Sequence, residues 1–445
     1  MVNNLLGLAC QQPRFEPPIV QWDRAPRGRD LNMRKVSKPI TQQGEGNTAL
    51  PTAEALRGAA QLAVEAVVQV SRLAGAVHGG IQRVSTLTAL GSPEAAGGIA
   101  GMVYRVVGGV TRVVGHSLDA LLRRLPAEEL QQGRSRRAAA LLSALNGVLG
   151  DHLEATGNPL AIPMQLLHRG QRVAFVRPPA PPKTKLLVVL HGLCMSPQQW
   201  QPSDSADNQD TVLAPIDVLA DQLGYCCLHL HYNSGRHIAD NGRDLAQLLQ
   251  QLTDAWAPKV ESISLIGHSM GGLVARSACV QAQQAGLGWL TEVDKLITLG
   301  SPHLGAPLER AGNGVDHLLA ALPLVAPFAR LGKLRSSGIT DLRHGCIVRP
   351  EGDRFALGVP VPSPALPASV KLYVVAGSRS ASSSVSRPRG DGLVPVTSAL
   401  GQHRQASRAL HVPPSRQCLI HAVHHLELMY HPAVMQAVRG WLREP

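Results

Sequence analysis

Ser269 is the side chain whose setting most directly suggests chemistry. It is the centre of Gly267-His268-Ser269-Met270-Gly271, the pattern Gly-x-Ser-x-Gly. A serine hydroxyl is a weak nucleophile until a base lies within hydrogen-bond reach, and that base needs a carboxylate to orient it. The flanking glycines matter sterically. A serine held at a tight turn with φ > 0 crowds the strand before it and the helix after it, and bulky residues at 267 and 271 would clash there. The local pattern supplies both neighbours. Ser262–Ile266 is a short apolar run that reads as a buried strand, and Gly271–Cys279 continues as a helix.

Those elements belong to a longer alternation. Met164–Leu167 and Gln171–Phe175 flank Arg169-Gly170 and predict a β-hairpin. Lys185–Leu190, Cys226–Leu230, Ser262–Ile266, Leu296–Leu299, Leu372–Val375 and Cys418–Ala422 read as strands, with helical patterns at Ile216–Leu223 and Gly242–Trp256 among them. Strands alternating with helices imply an α/β fold, with a mostly parallel central sheet and helices on both faces. Functional groups then gather at the carboxyl ends of the strands.

In such a fold the acid and base follow the serine in the chain, acid first. Asp391, in Gly390-Asp391-Gly392, follows the Leu372–Val375 strand and has a glycine on each side that lets the backbone turn. Asp341 and Asp353 are less well placed, because no strand directly precedes either. The last strand is followed by His421, His424 and His425. His421 falls inside the strand pattern; His425 is the favoured base and His424 the runner-up. Donors for a developing oxyanion are expected from the backbone N–H of Met270, just after the serine, and of Leu193, on the loop after Lys185–Leu190. His191, Gly192, His268, Tyr232 and Arg236 are the candidates to border a substrate pocket, with Arg236 also suited to an anionic head group.

From about Lys185 to Trp441 these residues resemble an α/β-hydrolase of the lipase/esterase kind, nearest to the group similar to the GPI inositol-deacylase domain. The motifs that carry the resemblance are Leu190-His191-Gly192-Leu193, Gly267-His268-Ser269-Met270-Gly271-Gly272 and Gly300-Ser301-Pro302-His303-Leu304-Gly305, followed by Gly390-Asp391-Gly392-Leu393-Val394 and His425-Leu426. The resemblance implies an α/β-hydrolase fold and ester hydrolysis through a serine acyl-enzyme, with neither metal nor organic cofactor. An acyltransferase with the same triad, and a non-catalytic lipid-surface protein on a hydrolase fold, are the alternative readings. Residues from about 305 to 365 are expected to form a lid or cap. Leu318–Leu334 within them is apolar and broken by Pro323 and Pro327, which suits acyl or lipid ester substrates or, equally, a core helix pair.

The rest of the 445 residues is divided as follows: a disordered tail over 1–50, a helical N-terminal region over 51–160, and the catalytic domain over 161–445. The helical region carries an apolar a/d seam from Leu56 to Val84. A later valine-rich face runs from Val103 to Val114, with Arg105 and Arg112 on another side. It reads as a small helical domain or as an element resting on an anionic membrane or lipid surface. Lys and Arg total 43 against 31 Asp and Glu, a net charge of +12, which favours anionic surfaces. Aromatic residues are only 3% and no nucleic-acid-binding signature is present, so nucleic acid is not an expected partner. Seven scattered cysteines without C-x-x-C form no disulfide framework, which fits a reducing, cytoplasmic setting with peripheral membrane association as a further option.

Overall fold

A computed structural model describes residues 136–174, 183–201, 213–306, 336–349, 364–381 and 390–444. The tail, the helical region as far as 135, Asp353 and the apolar stretch Leu318–Leu334 lie outside the described residues.

Eight strands form one sheet: β1 (Gln165–His168), β2 (Gln171–Arg172), β3 (Lys185–Leu190), β4 (Tyr225–His231), β5 (Ser262–His268), β6 (Val293–Leu299), β7 (Lys371–Ser378) and β8 (Gln417–His421). Their order is β2-β1-β4-β3-β5-β6-β7-β8. From β4 to β8 all pairings are parallel. The β1–β2 hairpin joins antiparallel at the β4 edge, closed by Arg169 and Gly170 at φ 49° and 78°, the twist-matched positive-φ pair of a two-residue turn. The helices are α1 (Arg136–Ala155), α2 (Pro215–Gln222), α3 (Ile238–Ala255), α4 (Met270–Ala285), α5 (Ser337–His344), α6 (Val396–Ala399) and α7 (Pro432–Arg443).

The inner strands are apolar on both faces because both faces are covered. Leu186, Val188 and Leu190 of β3 join one core with α1, α3 and α4, while Leu187 and Val189 join a second with α2 and α7. Strand order reverses direction around β3, so the carboxyl ends of β3, β5, β6 and β7 open toward one another, the usual place for a site in such a sheet.

Helix α1 closes the helical region expected over 51–160, and its apolar face is used inside the protein. Leu142, Leu145, Val148, Leu149 and Leu153 are buried in the α3/α4 core. Asn146 donates to the Leu160 carbonyl at 2.8 Å, and Asn233 to the Gly150 carbonyl at 2.8 Å. The described apolar face of this helix is therefore taken up by the core. Deleting 1–155 is expected to destabilise the chain by several kcal/mol, since each of these leucines and valines contributes about 1.5–3 kcal/mol of burial. Deleting 1–135 spares the helix, and urea melts of the two truncations should differ accordingly; equal stability would remove α1 from the core.

Candidate active site

Strand β5 ends at His268 and α4 begins at Met270, which leaves Ser269 alone in the turn. Its φ is 54° and ψ −120°, a conformation that costs about 1–3 kcal/mol for a non-glycine residue and persists only where the surroundings impose it. Here they do. Ser269 N–H donates to the Leu299 carbonyl at 2.8 Å, and its own carbonyl accepts from Gly272 N–H at 3.2 Å. A Cβ on Gly267 would lie 2.3 Å from Gly272 N, and one on Gly271 would lie 2.6 Å from the carbonyl oxygens of Leu190 and His191. The two outer glycines of the motif are thus required by backbone contact. Ser269 Oγ makes no hydrogen bond among the described residues.

Asp391 and His425 meet at the ends of β7 and β8. His425 Nδ1 lies 2.7 Å from Asp391 Oδ2, and both side chains are buried. The Gly-Asp-Gly turn has Gly390 at φ 115° and Gly392 at φ 104°, backbone available to glycine. Asp391 Oδ1 accepts from the Leu393 and Val394 N–H groups at 3.0 and 2.8 Å, and His425 N–H donates to the Asp391 carbonyl. Burial pushes the Asp391 carboxyl up, but the facing His425 and these hydrogen bonds outweigh it and hold the group below the usual carboxylate range. An ionised Asp391 can only accept, so Nδ1 carries the proton and the other ring nitrogen of His425 is left as a base. His424 is exposed, with its N–H donated to Glu427 Oε2 at 2.7 Å. His421 ends β8, inside the strand as read from the sequence.

Several atoms tie the two halves together. His268 Nε2 donates to the His425 carbonyl at 3.0 Å, and the two rings lie 4.7 Å apart. A Cβ on Gly300 (φ 60°) would lie 3.1 Å from Asp391 Oδ2 and 3.2 Å from His425 Cε1, while Ser269 bonds the residue just before it. On the other flank, a Cβ on Gly192 would stand 3.1 Å from Ser269 Cβ. The Gly192–Leu193 loop therefore closes directly over the serine. The N–H groups of Leu193 and Met270 have no acceptor among the described residues, and both flank Ser269.

The remaining pocket candidates divide. Gly192 and His268 lie against Ser269, whereas the His191 ring turns to Tyr232 and His231. Both imidazoles are held down to about 3 by burial, His191 further by His231 and His268 by His425, so both are neutral. Tyr232 stacks on His191 at 4.3 Å and donates to its carbonyl at 2.8 Å, so it buttresses the loop from behind. Arg236 does not offer a free cation: its guanidinium lies 2.5 Å from Glu154 and 2.6 Å from Asp244, which commits it to joining α1 and α3. Asp341 serves elsewhere too, accepting from Ile238 N–H at the start of α3 and facing His237 at 3.0 Å.

Three supporting groups have no signal in their own sequence context. Ser234 Oγ accepts from Cys194 N–H at 3.0 Å, which holds the loop after β3, and Cys194 itself has φ 59°. Gly147 of α1 gives that loop room, since a Cβ there would lie 2.2 Å from Cys194 Sγ. These partners are far apart in the chain, and only folding makes them neighbours.

Residues 185–351 match the family model of the PGAP1-like alpha/beta domain. The chain has an α/β-hydrolase fold. Among solved structures, the core is similar to the mature form of the Bacillus licheniformis lipase BlEst2, with 17% identity, TM-score 0.38, and coverage of 59% of this chain and 94% of that one. It is also similar to the Pyrococcus furiosus esterase Pf2001, with 21% identity, TM-score 0.33, and coverage of 58% and 81%. A third similarity is to the RedJ thioesterase of the Streptomyces coelicolor prodiginine pathway, with 15% identity, TM-score 0.32, and coverage of 62% and 98%. No curated protein matches the chain. No helix among the described residues is long and apolar enough to cross a membrane.

Proposed function

We propose that this chain is a serine hydrolase that cleaves carboxylic esters through an acyl-enzyme. The observation that carries the reading is the 2.7 Å bond from His425 to Asp391, buried at the strand ends beside a positive-φ Ser269. In the first half-reaction the free ring nitrogen of His425 takes the Ser269 proton as Oγ attacks the ester carbonyl. The Leu193 and Met270 amides stabilise the oxyanion, and the imidazolium returns the proton to the leaving alcohol. Water then repeats the sequence on the acyl-enzyme and frees the acid. Asp391 keeps the tautomer that this requires and stabilises the imidazolium. The apolar Leu318–Leu334 stretch in the sequence favours acyl or lipid esters as the substrate class. The N-terminal helices, with Arg105 and Arg112 beside an apolar valine face, favour an anionic lipid surface as the place of work.

Incubation with a fluorophosphonate probe, followed by peptide mass mapping, tests the nucleophile. Covalent label on the peptide bearing Ser269 is the expected result. A folded protein that takes no label, or takes it on another serine, overturns the proposal.

A further inference from the structure

A second group of reactive side chains lies away from Ser269, between α2 and the outer half of the sheet. Cys227 and His229 alternate on β4 so that both point to the α2 face, and Asp217 on α2 faces them. His229 Nε2 lies 2.8 Å from Asp217 Oδ1 and 3.7 Å from Cys227 Sγ. One donor atom from each of the three residues falls within 4.8 Å of the others. We propose that Asp217, Cys227 and His229 bind a divalent cation of borderline softness, with Zn²⁺ the best match.

The choice of ion follows from the donors. A thiolate, an imidazole and a carboxylate together suit Zn²⁺, whose bonds of about 2.0–2.3 Å in a tetrahedron place neighbouring ligand atoms roughly 3.3–3.8 Å apart. The 3.7 Å from Cys227 to His229 already stands at that spacing, and the 2.8 Å hydrogen bond from His229 to Asp217 would open by about half an ångström to admit the ion. The geometry also separates a metal site from a nucleophilic relay. A Cys-His-Asp relay needs the thiol and the carboxylate on opposite ring nitrogens. Here both lie on the Nε2 side, and Nδ1 of the buried His229 has no partner among the described residues. Donors that converge on one point describe a coordination sphere.

Access and a further ligand position are present as well. A cavity of about 420 Å³ is bordered by Asp217 and His229, together with Arg169, Gln198 and Gln201. The cation on its wall, Arg169, is paired with Asp221 at 2.9 Å, so it does not bar a positive ion. Burial and the neighbouring Asp217 push the Cys227 thiol well up, so it is protonated without metal. As the metal–sulfur bond forms, the Cys227 S–H bond breaks and its proton passes to solvent; His229 binds neutral and Asp217 as the carboxylate. The bound ion would clamp α2 to β4, leaving one position toward the cavity for water.

Cobalt substitution of the full-length protein, stripped with a chelator, tests this. Co²⁺ is expected to bind at about one equivalent, with a near-ultraviolet thiolate-to-cobalt charge-transfer band and tetrahedral visible bands that Zn²⁺ displaces. Cys227→Ser should lose the charge-transfer band and Cys226→Ser should keep it. Asp217 is only partly buried, so Asp217→Asn spares the core; it should keep the band but weaken binding by tenfold or more, on the scale expected when a metal site loses part of its shell. That variant keeps the test informative if Cys227→Ser fails to fold. Absence of stoichiometric binding, a band that survives Cys227→Ser, or an affinity unmoved by Asp217→Asn each overturns the proposal.

Discussion

Replacement of Ser269 by alanine is expected to lower kcat/KM for a p-nitrophenyl ester by about 10³-fold or more, equivalent to about 4 kcal/mol of lost transition-state stabilisation. The variant removes the atom proposed to form the covalent bond and leaves the backbone bonds that hold the turn. The turn is held through the Ser269 N–H bond to Leu299 and the Gly272 bond to the Ser269 carbonyl, and neither involves the hydroxyl. Oγ makes no hydrogen bond among the described residues, so the thermal transition should scarcely move. That separation gives the experiment its meaning. A large fall in turnover with an unchanged melt assigns Ser269 to the chemistry, whereas turnover that persists at the wild-type level removes it from the mechanism.

Acid sensitivity should also be large. His191 and His268 are held down to about 3 and His231 to about 4, chiefly by burial, and burial beside Arg276 places His303 well below its ordinary value. His303 is also fixed as the neutral ring: Arg276 donates to Nδ1 at 3.3 Å, which leaves Nε2 to donate to Thr298 Oγ1 at 3.0 Å. In the unfolded chain each imidazole takes a proton near pH 6.5, and in the folded protein it does not. The unfolded state therefore binds more protons as pH falls, so this stability is full above pH 6.5 and drains away below it. Between pH 6.5 and 5 the loss is at most about 2 kcal/mol for each such group, since the slope cannot exceed about 1.4 kcal/mol per pH unit. His237 acts in the opposite sense, because its hydrogen bond to Asp341 raises it; one half-buried group offsets only part of the sum. Urea midpoints at pH 7 and pH 5 check the sign and the size. Equal midpoints would mean that these rings accept protons inside the fold.

The strands were legible because most of them are buried on both faces and so appear as short apolar runs. Lys185–Leu190 matches β3 at both ends, and the others differ by a few residues at their boundaries. Helix α3 begins at Ile238 rather than Gly242, since its first turn is capped by the distant Asp341 carboxylate, which no local pattern announces. Ser269 and the glycines around it could be read from spacing, because the steric demand of the turn is local. His425 could be preferred to His424 only by its position after the last strand. The fold separates them, burying one ring against Asp391 and leaving the other exposed.

Arg236 shows the converse. A basic residue after a strand end looks available to an anionic ligand, but two carboxylates from α1 and α3 already hold it. Helix α1 has an amphipathic pattern equally suited to a lipid surface or to a core, and its neighbours in space decide for the core. The Asp217, Cys227 and His229 cluster has no motif, because two of its members alternate on a strand and the third comes from the preceding helix.

By itself the sequence determined what short-range sterics and periodicity encode: a parallel α/β sheet, a serine at a glycine-flanked turn, and the order of acid and base behind it. Tertiary structure alone decided which polar side chains face one another. It joined Asp391 to His425, withdrew Arg236 and Asp341 into structural pairs, and gathered three metal-type donors at the far side of the sheet. The physical reason is range. Backbone strain and burial patterns act over a few residues, whereas hydrogen bonds and ion pairs form between groups that only chain folding brings within about 3 Å.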